Sequence, residues 1–313
     1  MISHDLAIVG AGPAGLTAAI YADRAGLDAI TLEAGMFGGQ IAQSDMVDNY
    51  PGIESISGAE LSERMHAHAE SLGAAFASDS VTSIEHDPAT GLFLLTGWSE
   101  TYQARAVILS TGGSPRSAGF EGEDAFKGHG VSYCATCDGM FYRDKLVYVV
   151  GGGNTACEEA DFLSRICKKV VLIVRKDHLR AQAALQEKVT LNPKIEIRYQ
   201  CAIESLSGEG MLPETIVLKD TATGETQTYT HEAGSFGVFV FIGMIPASEL
   251  AAPFAQINGA GEVMANEDMS TGTPGFFVAG DLRQKPLRQV ITAASDGAIA
   301  ANSAALYLGN LVI

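Results

Sequence analysis

Short apolar runs that end in glycine set the rhythm of this chain. Leu6-Ala7-Ile8-Val9 leads straight into Gly10, and the run from Leu146 to Val150 leads straight into Gly151. An apolar run of this length, closed by a turn signal, predicts a strand buried on both faces. After each comes a predicted helix, over 13–25 and 155–166, and then a second apolar run, over 29–32 and 170–173. Sliding the chain against itself by 141 positions lays Val9-Gly10-Ala11-Gly12-Pro13-Ala14-Gly15 on Val150-Gly151-Gly152-Gly153-Asn154-Thr155-Ala156. Ala19 then falls on Ala160 and Arg24 on Arg165. The pattern predicts two copies of one strand, turn, helix, strand unit.

In each copy the first glycine makes the turn and the second lets the backbone approach a pyrophosphate. The third small residue lets helix and strand pack closely, and the helix N-terminus faces the negative charge. One glycine-rich turn is a weak sign; one held between a strand and a helix is a specific one. The ends of the second strands separate the two ligands. Glu33 stands 23 residues after Gly10, where a carboxylate accepts hydrogen bonds from a ribose hydroxyl. Its counterpart is Val174, followed by Arg175, Lys176 and Arg180, which suit a 2′-phosphate. The first copy therefore favours an unphosphorylated ribose, as in FAD, and the second favours NADPH, although an exposed helix start would also carry such cations.

Near the C-terminus, Gly275-Phe276-Phe277-Val278-Ala279-Gly280-Asp281 reads as a short apolar strand ending in Gly-Asp. Arg288-Gln289-Val290 and a helix of small residues over 291–306 follow. An Asp in that place reaches a flavin's ribityl chain, and the helix amides reach its pyrimidine edge. The second copy is then an insertion into the first domain. Its seams are two glycine-bearing crossings, Thr111-Gly112-Gly113-Ser114-Pro115 and Ile242-Gly243-Met244-Ile245-Pro246. The expected class is α/β with two Rossmann-like nucleotide-binding domains, the NADPH domain inserted into the FAD domain. The expected boundaries are 1–113 and 242–313 for FAD and 114–241 for NADPH.

Length and charge narrow this picture. The chain has 313 residues, enough for two cored domains, with 47% apolar and 18% charged residues. A net charge of −17 disfavours nucleic acid and anionic membrane as partners. The longest apolar stretch, over 236–247, is broken by Gly237 and Gly243 and is too short to span a bilayer. The first apolar run has no basic segment before it and reads as a strand, which leaves a cytoplasmic protein as the expectation.

Five cysteines add chemistry. Cys134-Ala135-Thr136-Cys137, followed by Asp138, lies just before the second glycine turn. A structural zinc site wants four ligands, and Cys157, Cys167 and Cys201 are single, so the pair reads as a redox dithiol rather than a metal site. The single cysteines read as core packing. His66, His68 and His129 show no metal spacing. Asp138, expected in an apolar setting beside Met140 and Phe141, is the candidate general acid, with helix capping as its bland alternative.

Together these segments resemble the low-molecular-weight (bacterial-type) thioredoxin reductases, nearly end to end. The resemblance rests on Gly10 through Gly15, Gly38-Gly39-Gln40, Asn49-Tyr50-Pro51-Gly52, Cys134 through Gly139, Gly151 through Ala156 with Glu158-Glu159-Ala160, and Ala279-Gly280-Asp281 with Arg288-Gln289. It implies a homodimeric FAD enzyme that uses NADPH to reduce the disulfide of thioredoxin. It further implies that Cys134 is the interchange thiol, Cys137 the thiol beside the flavin, Asp138 the proton donor and acceptor, and that Asn49 lies near the flavin ring. The candidate FAD residues are Gly10, Gly12, Pro13, Ala14, Gly15, Glu33, Gly39, Gln40, Asn49, Thr111, Gly112, Asp281, Arg288, Gln289 and Val290. Those for NADPH are Gly151, Gly153, Asn154, Thr155, Arg175, Lys176 and Arg180, and no metal ligand is expected. The family's signature for NADPH is His-Arg-Arg-x-x-x-Arg; here Val174 replaces the histidine and Lys176 the second arginine.

If dithiol and nicotinamide ride on one inserted domain, one flavin face can hardly meet both at once. The expected solution is rotation of that domain about the two crossings, whose glycines absorb the backbone change. Rival readings on the same scaffold are a ferredoxin-driven reductase, a reductase feeding a peroxiredoxin-type partner and a dithiol oxidase. From a different class comes a non-enzymatic redox sensor. The intact second turn and its cations weigh against the first, and Asp138 with both turns against the last.

Overall fold

The computed structural model describes residues 1–44, 47 and 49–309. The chain divides into two compact units, Met1–Ser114 with Ile245–Ile313, and Pro115–Met244. The first begins with β1 (Ile2–Val9), α1 (Pro13–Arg24), β2 (Ala29–Glu33), α2 (Gly58–Leu72), β3 (Ala75–Ser78), β4 (Ser83–Asp87), β5 (Leu92–Thr96) and β6 (Thr101–Leu109). Strand β7 (Gly113–Pro115) crosses to the second unit. There follow β8 (Val131–Ser132), α3 (Ala135–Asp138), β9 (Leu146–Val150), α4 (Asn154–Ile166), β10 (Lys169–Ile173), α5 (Ala183–Leu191), β11 (Ile195–Arg198), β12 (Cys201–Ser207), β13 (Thr215–Asp220), β14 (Thr226–Thr230) and β15 (Phe236–Val240). Strand β16 (Met244–Pro246) returns, and the first unit closes with β17 (Phe276–Val278) and α6 (Val290–Leu308).

In the first unit β3, β2, β1, β6 and β17 run parallel, and β5 and β4 continue antiparallel from β6. The nine residues of β6 serve two partners along one edge, β5 from Thr101 to Ala104 and β17 from Val107 to Leu109. Leu6 and Ile8 enter a layer with Ala18, Ala22, Ala301 and Ala305 of α1 and α6, while Ala7 and Val9 enter the opposite layer with Leu32, Phe93 and Phe276. Burial on both faces is why the first apolar run shows no alternation. Small residues bring the two helices close: a Cβ on Gly297 of α6 would lie 2.0 Å from the Ala14 carbonyl oxygen.

The second unit repeats the plan. Its sheet has the order β11, β10, β9, β15, β8, all parallel. One face packs on α4 through Ala156, Cys157, Ala160 and Leu163. The other packs under a three-stranded antiparallel sheet, β12, β13, β14, through Ile203, Leu206, Ile216 and Leu218. Every residue of β15 is buried, so the longest apolar stretch of the chain begins as a central strand. No helix among the described residues is long and apolar enough to cross a membrane. Strand β8, only two residues long, gave no signal in the sequence pattern.

The crossings pair with each other: β7 and β16 form a two-stranded sheet. Next to it the Arg116 amide donates to the Gly243 carbonyl at 3.0 Å and the Ala247 amide to the Gly112 carbonyl at 2.9 Å.

Candidate active site

The first glycine turn is shaped by what leaves no room. Gly10 has φ +100°, and a Cβ there would lie 2.6 Å from the Ser110 carbonyl oxygen. A Cβ on Gly15 would fall 1.8 Å from the Gly10 carbonyl oxygen. At Gly12, by contrast, nothing stands within 4 Å of a Cβ, and the residue begins α1 with no side-chain cap. Pro13 and Ala14 follow in the first turn, whose free amides can face an anion. The Glu33 carboxylate, at the end of β2, accepts from the Ala11 amide at 2.6 Å and from the Gly35 amide at 2.8 Å. The loop at Gly39 and Gln40 lies on this turn: the Gly38 amide donates to the Ala11 carbonyl at 2.8 Å, and a Cβ on Gly39 would sit 3.3 Å from Gly12 Cα. Thr111 Oγ1 donates to the Ala247 carbonyl at 2.6 Å, tying Thr111 and Gly112 to the second crossing.

The C-terminal segment joins the same unit. Asn49 Nδ2 donates to Gln289 Oε1 at 3.1 Å across 240 positions of sequence. The Gln289 amide donates to Thr292 Oγ1 at 3.1 Å where Val290 opens α6. Asp281 follows β17, and its Oδ1 is enclosed with no hydrogen-bond partner among the described residues. Burial pushes the Asp281 carboxyl above the ordinary range, with Lys285 and then Arg288 opposing the rise. An enclosed acceptor without a donor is what a ligand hydroxyl would satisfy. Arg288 is engaged internally: its Nε donates to the Asp281 carbonyl at 3.2 Å and its Nη2 pairs with Glu262. The uncapped helix start, the Glu33 carboxylate and the orphaned Asp281 oxygen fit FAD.

The second turn keeps the shape and changes the chemistry. Gly151 has φ +148°, and a Cβ there would lie 2.4 Å from the Phe241 carbonyl oxygen, while Gly153 again faces open space. Asn154 Oδ1 accepts from the Gln182 amide at 2.9 Å, and the Arg180 amide donates to the Gly152 carbonyl at 2.7 Å, so the loop after β10 is pinned to the turn. Thr155 is exposed in the first turn of α4. Val174 is buried, with its Cγ1 3.0 Å from where a Cβ on Gly152 would be. Arg175, Lys176 and Arg180 are exposed, and none forms an ion pair among the described residues. The segment they occupy is a bent loop before α5 rather than a helix start. Three unpaired cations beside an uncapped helix start fit a phosphorylated dinucleotide.

Cys134 and Cys137 form a disulfide, their Cα atoms 5.3 Å apart. Cys134 occupies the N-cap position of α3, and its Sγ accepts from the Cys137 amide at 3.2 Å. Asp138 ends that helix, and its side chain makes no capping bond to the 3₁₀ turn that follows. Its Oδ2 instead accepts from Ser132 Oγ at 2.6 Å, and Ser132 Oγ also accepts from the Cys134 amide at 3.1 Å. Ser132 is buried and fixed by β8, whose pairing with β15 sets it opposite Phe239. Met140 and Phe141, expected to wall Asp138 with apolar surface, are exposed. Ser132 is a polar partner of the acid.

The pyridine nucleotide-disulphide oxidoreductase family matches residues 4–297. The chain is 44% identical over 308 residues to the thioredoxin reductase of Peptoclostridium acidaminophilum, covering 97% of each. It belongs to the thioredoxin reductase family. The thioredoxin reductase of Streptococcus pyogenes MGAS5005, 36% identical, covers 99% of both chains with a TM-score of 0.91. The Lactococcus lactis thioredoxin reductase in its FR conformation is 35% identical over 98% of this chain and 100% of its own, with a TM-score of 0.67. As a member of this family the chain is a flavoprotein oxidoreductase with FAD and NADPH as cofactors.

Sequence reasoning missed Ser110 and Ser132. Ser110 Oγ lies 2.9 Å from the Val9 carbonyl and 2.8 Å from that of Gly10, bracing the first turn. Ser110 meets Gly10 across 100 positions, which leaves no local trace, and Ser132, though only six positions from Asp138, belongs to no cysteine motif. The single cysteines are buried, and burial raises their thiols, Cys167 to about 11, as core packing requires. Among the described residues no group of three or more His, Cys, Asp or Glu stands ready to hold a metal ion.

Proposed function

We propose that this chain reduces the disulfide of thioredoxin with electrons that pass from NADPH through FAD to Cys134–Cys137, working as a homodimer in the cytoplasm. The observation that carries the reading is the disulfide on the same unit as the uncapped second turn with its three unpaired cations. In this reading residues 1–113 and 242–313 bind FAD, and residues 114–241 bind NADPH and carry the dithiol. When bound, FAD would accept a hydride from NADPH and deliver the electron pair to the disulfide. The chain's residues do the rest. Cys134, once a thiolate, attacks the partner's disulfide to form a mixed disulfide, and Cys137 then attacks Cys134, releasing the second partner thiol and restoring the intramolecular bond. The Cys137 amide that donates to Cys134 Sγ favours the thiolate at the attacking position. Asp138 supplies and recovers the proton, its carboxylate oriented by Ser132.

Rotation of the inserted unit about the paired crossings would let the nicotinamide and Cys137 take turns at the flavin. Two relatives of nearly equal identity and coverage match this chain to very different extents, which supports a family that adopts more than one arrangement. The test is steady-state turnover with NADPH and with NADH, each with and without thioredoxin. Sustained NADPH oxidation that requires thioredoxin is expected, together with a stable mixed disulfide in Cys137→Ser. Oxidation sustained by oxygen alone would point to a dithiol oxidase, and a single turnover to a sensor.

A further inference from the structure

Lys285 is buried, with only 2% of its side chain exposed, and no step of the proposed reaction uses it. An ammonium group taken out of water is costly unless it is paired. Its bonded partner is Asp296, whose Oδ2 accepts from Lys285 Nζ at 2.8 Å. Asp296 is already neutralised, because Arg283 donates to both its oxygens, each at 2.8 Å, and the Gly280 amide adds a bond at 3.1 Å. Glu262 is matched by Arg288. One positive charge is therefore left over, and the acid that balances it is Asp281, whose Oδ1 lies 3.8 Å from Lys285 Nζ. That distance is too long for a hydrogen bond and short enough for strong attraction.

We propose that Lys285 is a positioning residue for FAD: clamped by Asp296 just beyond bonding reach of the enclosed Oδ1, it supplies the counter-charge of Asp281 without bonding it, and the carboxylate, whose side chain is 34% exposed, is left to accept from a cofactor hydroxyl. The proposal rests on the assignment of Asp281 to the flavin site. A direct salt bridge would occupy the acceptor, and a distant lysine would let the carboxyl take up a proton. Burial and the nearby Asp296 both push the Asp281 carboxyl upward, and Lys285 leads the opposition, with Arg288 second. Without Lys285 the protonated form gains, and a charge-assisted bond to the cofactor becomes a neutral one, about half as strong.

The test is FAD affinity of the apoprotein, read by flavin fluorescence as a function of pH. Asp281→Asn should weaken FAD by about tenfold to a hundredfold, equally at every pH. Lys285→Met should weaken it by about tenfold at neutral pH and further as pH falls, where the wild type holds. Lys285→Arg should restore most of the affinity. Wild-type affinity in Lys285→Met, or a loss of the same factor at every pH, overturns the proposal and leaves Lys285 a structural residue. Wild-type affinity in Asp281→Asn overturns the assignment of Asp281 itself. If Lys285→Met does not fold, Asp281→Asn with Lys285→Met removes both charges and should bind as Asp281→Asn does; a further loss in the double variant overturns the proposal.

Discussion

The two units share one turn and differ in the residues that follow it. Four strands are placed alike in both, β3, β2, β1, β6 in one and β11, β10, β9, β15 in the other, while the fifth comes last in sequence in the first unit (β17) and first in the second (β8). In the first, a carboxylate closes the strand: Glu33 ends β2 and holds the turn through the Ala11 amide. In the second, the matching Val174 is buried, and the charged groups lie exposed on the following loop, at Arg175, Lys176 and Arg180. The third small residue differs as well. Gly15 stands against the Gly10 carbonyl, where the second copy accommodates the Cβ of Ala156. One turn geometry thus accommodates two different sets of residues after the second strand, and in the proposed reading those residues decide which nucleotide is bound.

The largest expected effect tests the tighter of the two turns. Gly15→Ala places a Cβ against backbone, so we expect loss of bound FAD and of the cooperative melt of the purified protein. Ala156→Gly should cost only about 1 kcal/mol, the helix propensity difference, measurable by denaturant unfolding. A Gly15→Ala protein that keeps FAD and melts like the wild type would show that this turn relaxes around the added Cβ.

Next comes the loop. Replacing Arg175 and Arg180 with Ala should raise KM for NADPH by about tenfold to a hundredfold per lost contact and leave KM for NADH nearly unchanged. An equal rise for both cofactors would make the cations structural. Because Val174 is buried and offers no hydrogen bond, the discrimination of the wild type should rest on these exposed cations alone.

The smallest effect concerns acid. In the first unit, Asp79 is buried; burial pushes its carboxyl up, but bonds from Ser99, Glu100 and Trp98 outweigh this and hold it at about 2. An unfolded chain takes up the proton near the ordinary 3.8, so the stability Asp79 contributes is full above that value and fades as pH falls towards about 2. Asp79→Asn should lower the melting temperature at neutral pH, and the gap from wild type should close in acid. A gap that stays constant with pH would assign the effect to packing. In the second unit Glu123 collects the Ala118 and Gly119 amides and is likewise held low, so Glu123→Gln should show the same sign.

What the sequence revealed follows from how local each signal is. The glycine turns, the flanking strands and the dithiol are set by residues a few positions apart, and the helix expected over 155–166 forms as Asn154–Ile166. Contacts built across the chain were not legible. Asn49 meets Gln289, and Ser110 braces Gly10, only after the sheet has formed. Around Asp138, the nearest apolar residues in sequence are a poor guide to what the carboxylate bonds. Met140 and Phe141 point outward, while Ser132 arrives through a two-residue strand too short to register as a pattern.

The pairing of β7 with β16 carries a consequence for protein engineering. The segment Pro115–Met244 leaves and rejoins the surrounding chain at one place, so its two ends are neighbours. A segment with adjacent ends can be excised, or its termini relocated, without stretching its backbone. Expressed alone, it would be a portable dithiol module, and a short Gly-Ser bridge from Ser114 to Ile245 would close what remains into a continuous single-nucleotide domain.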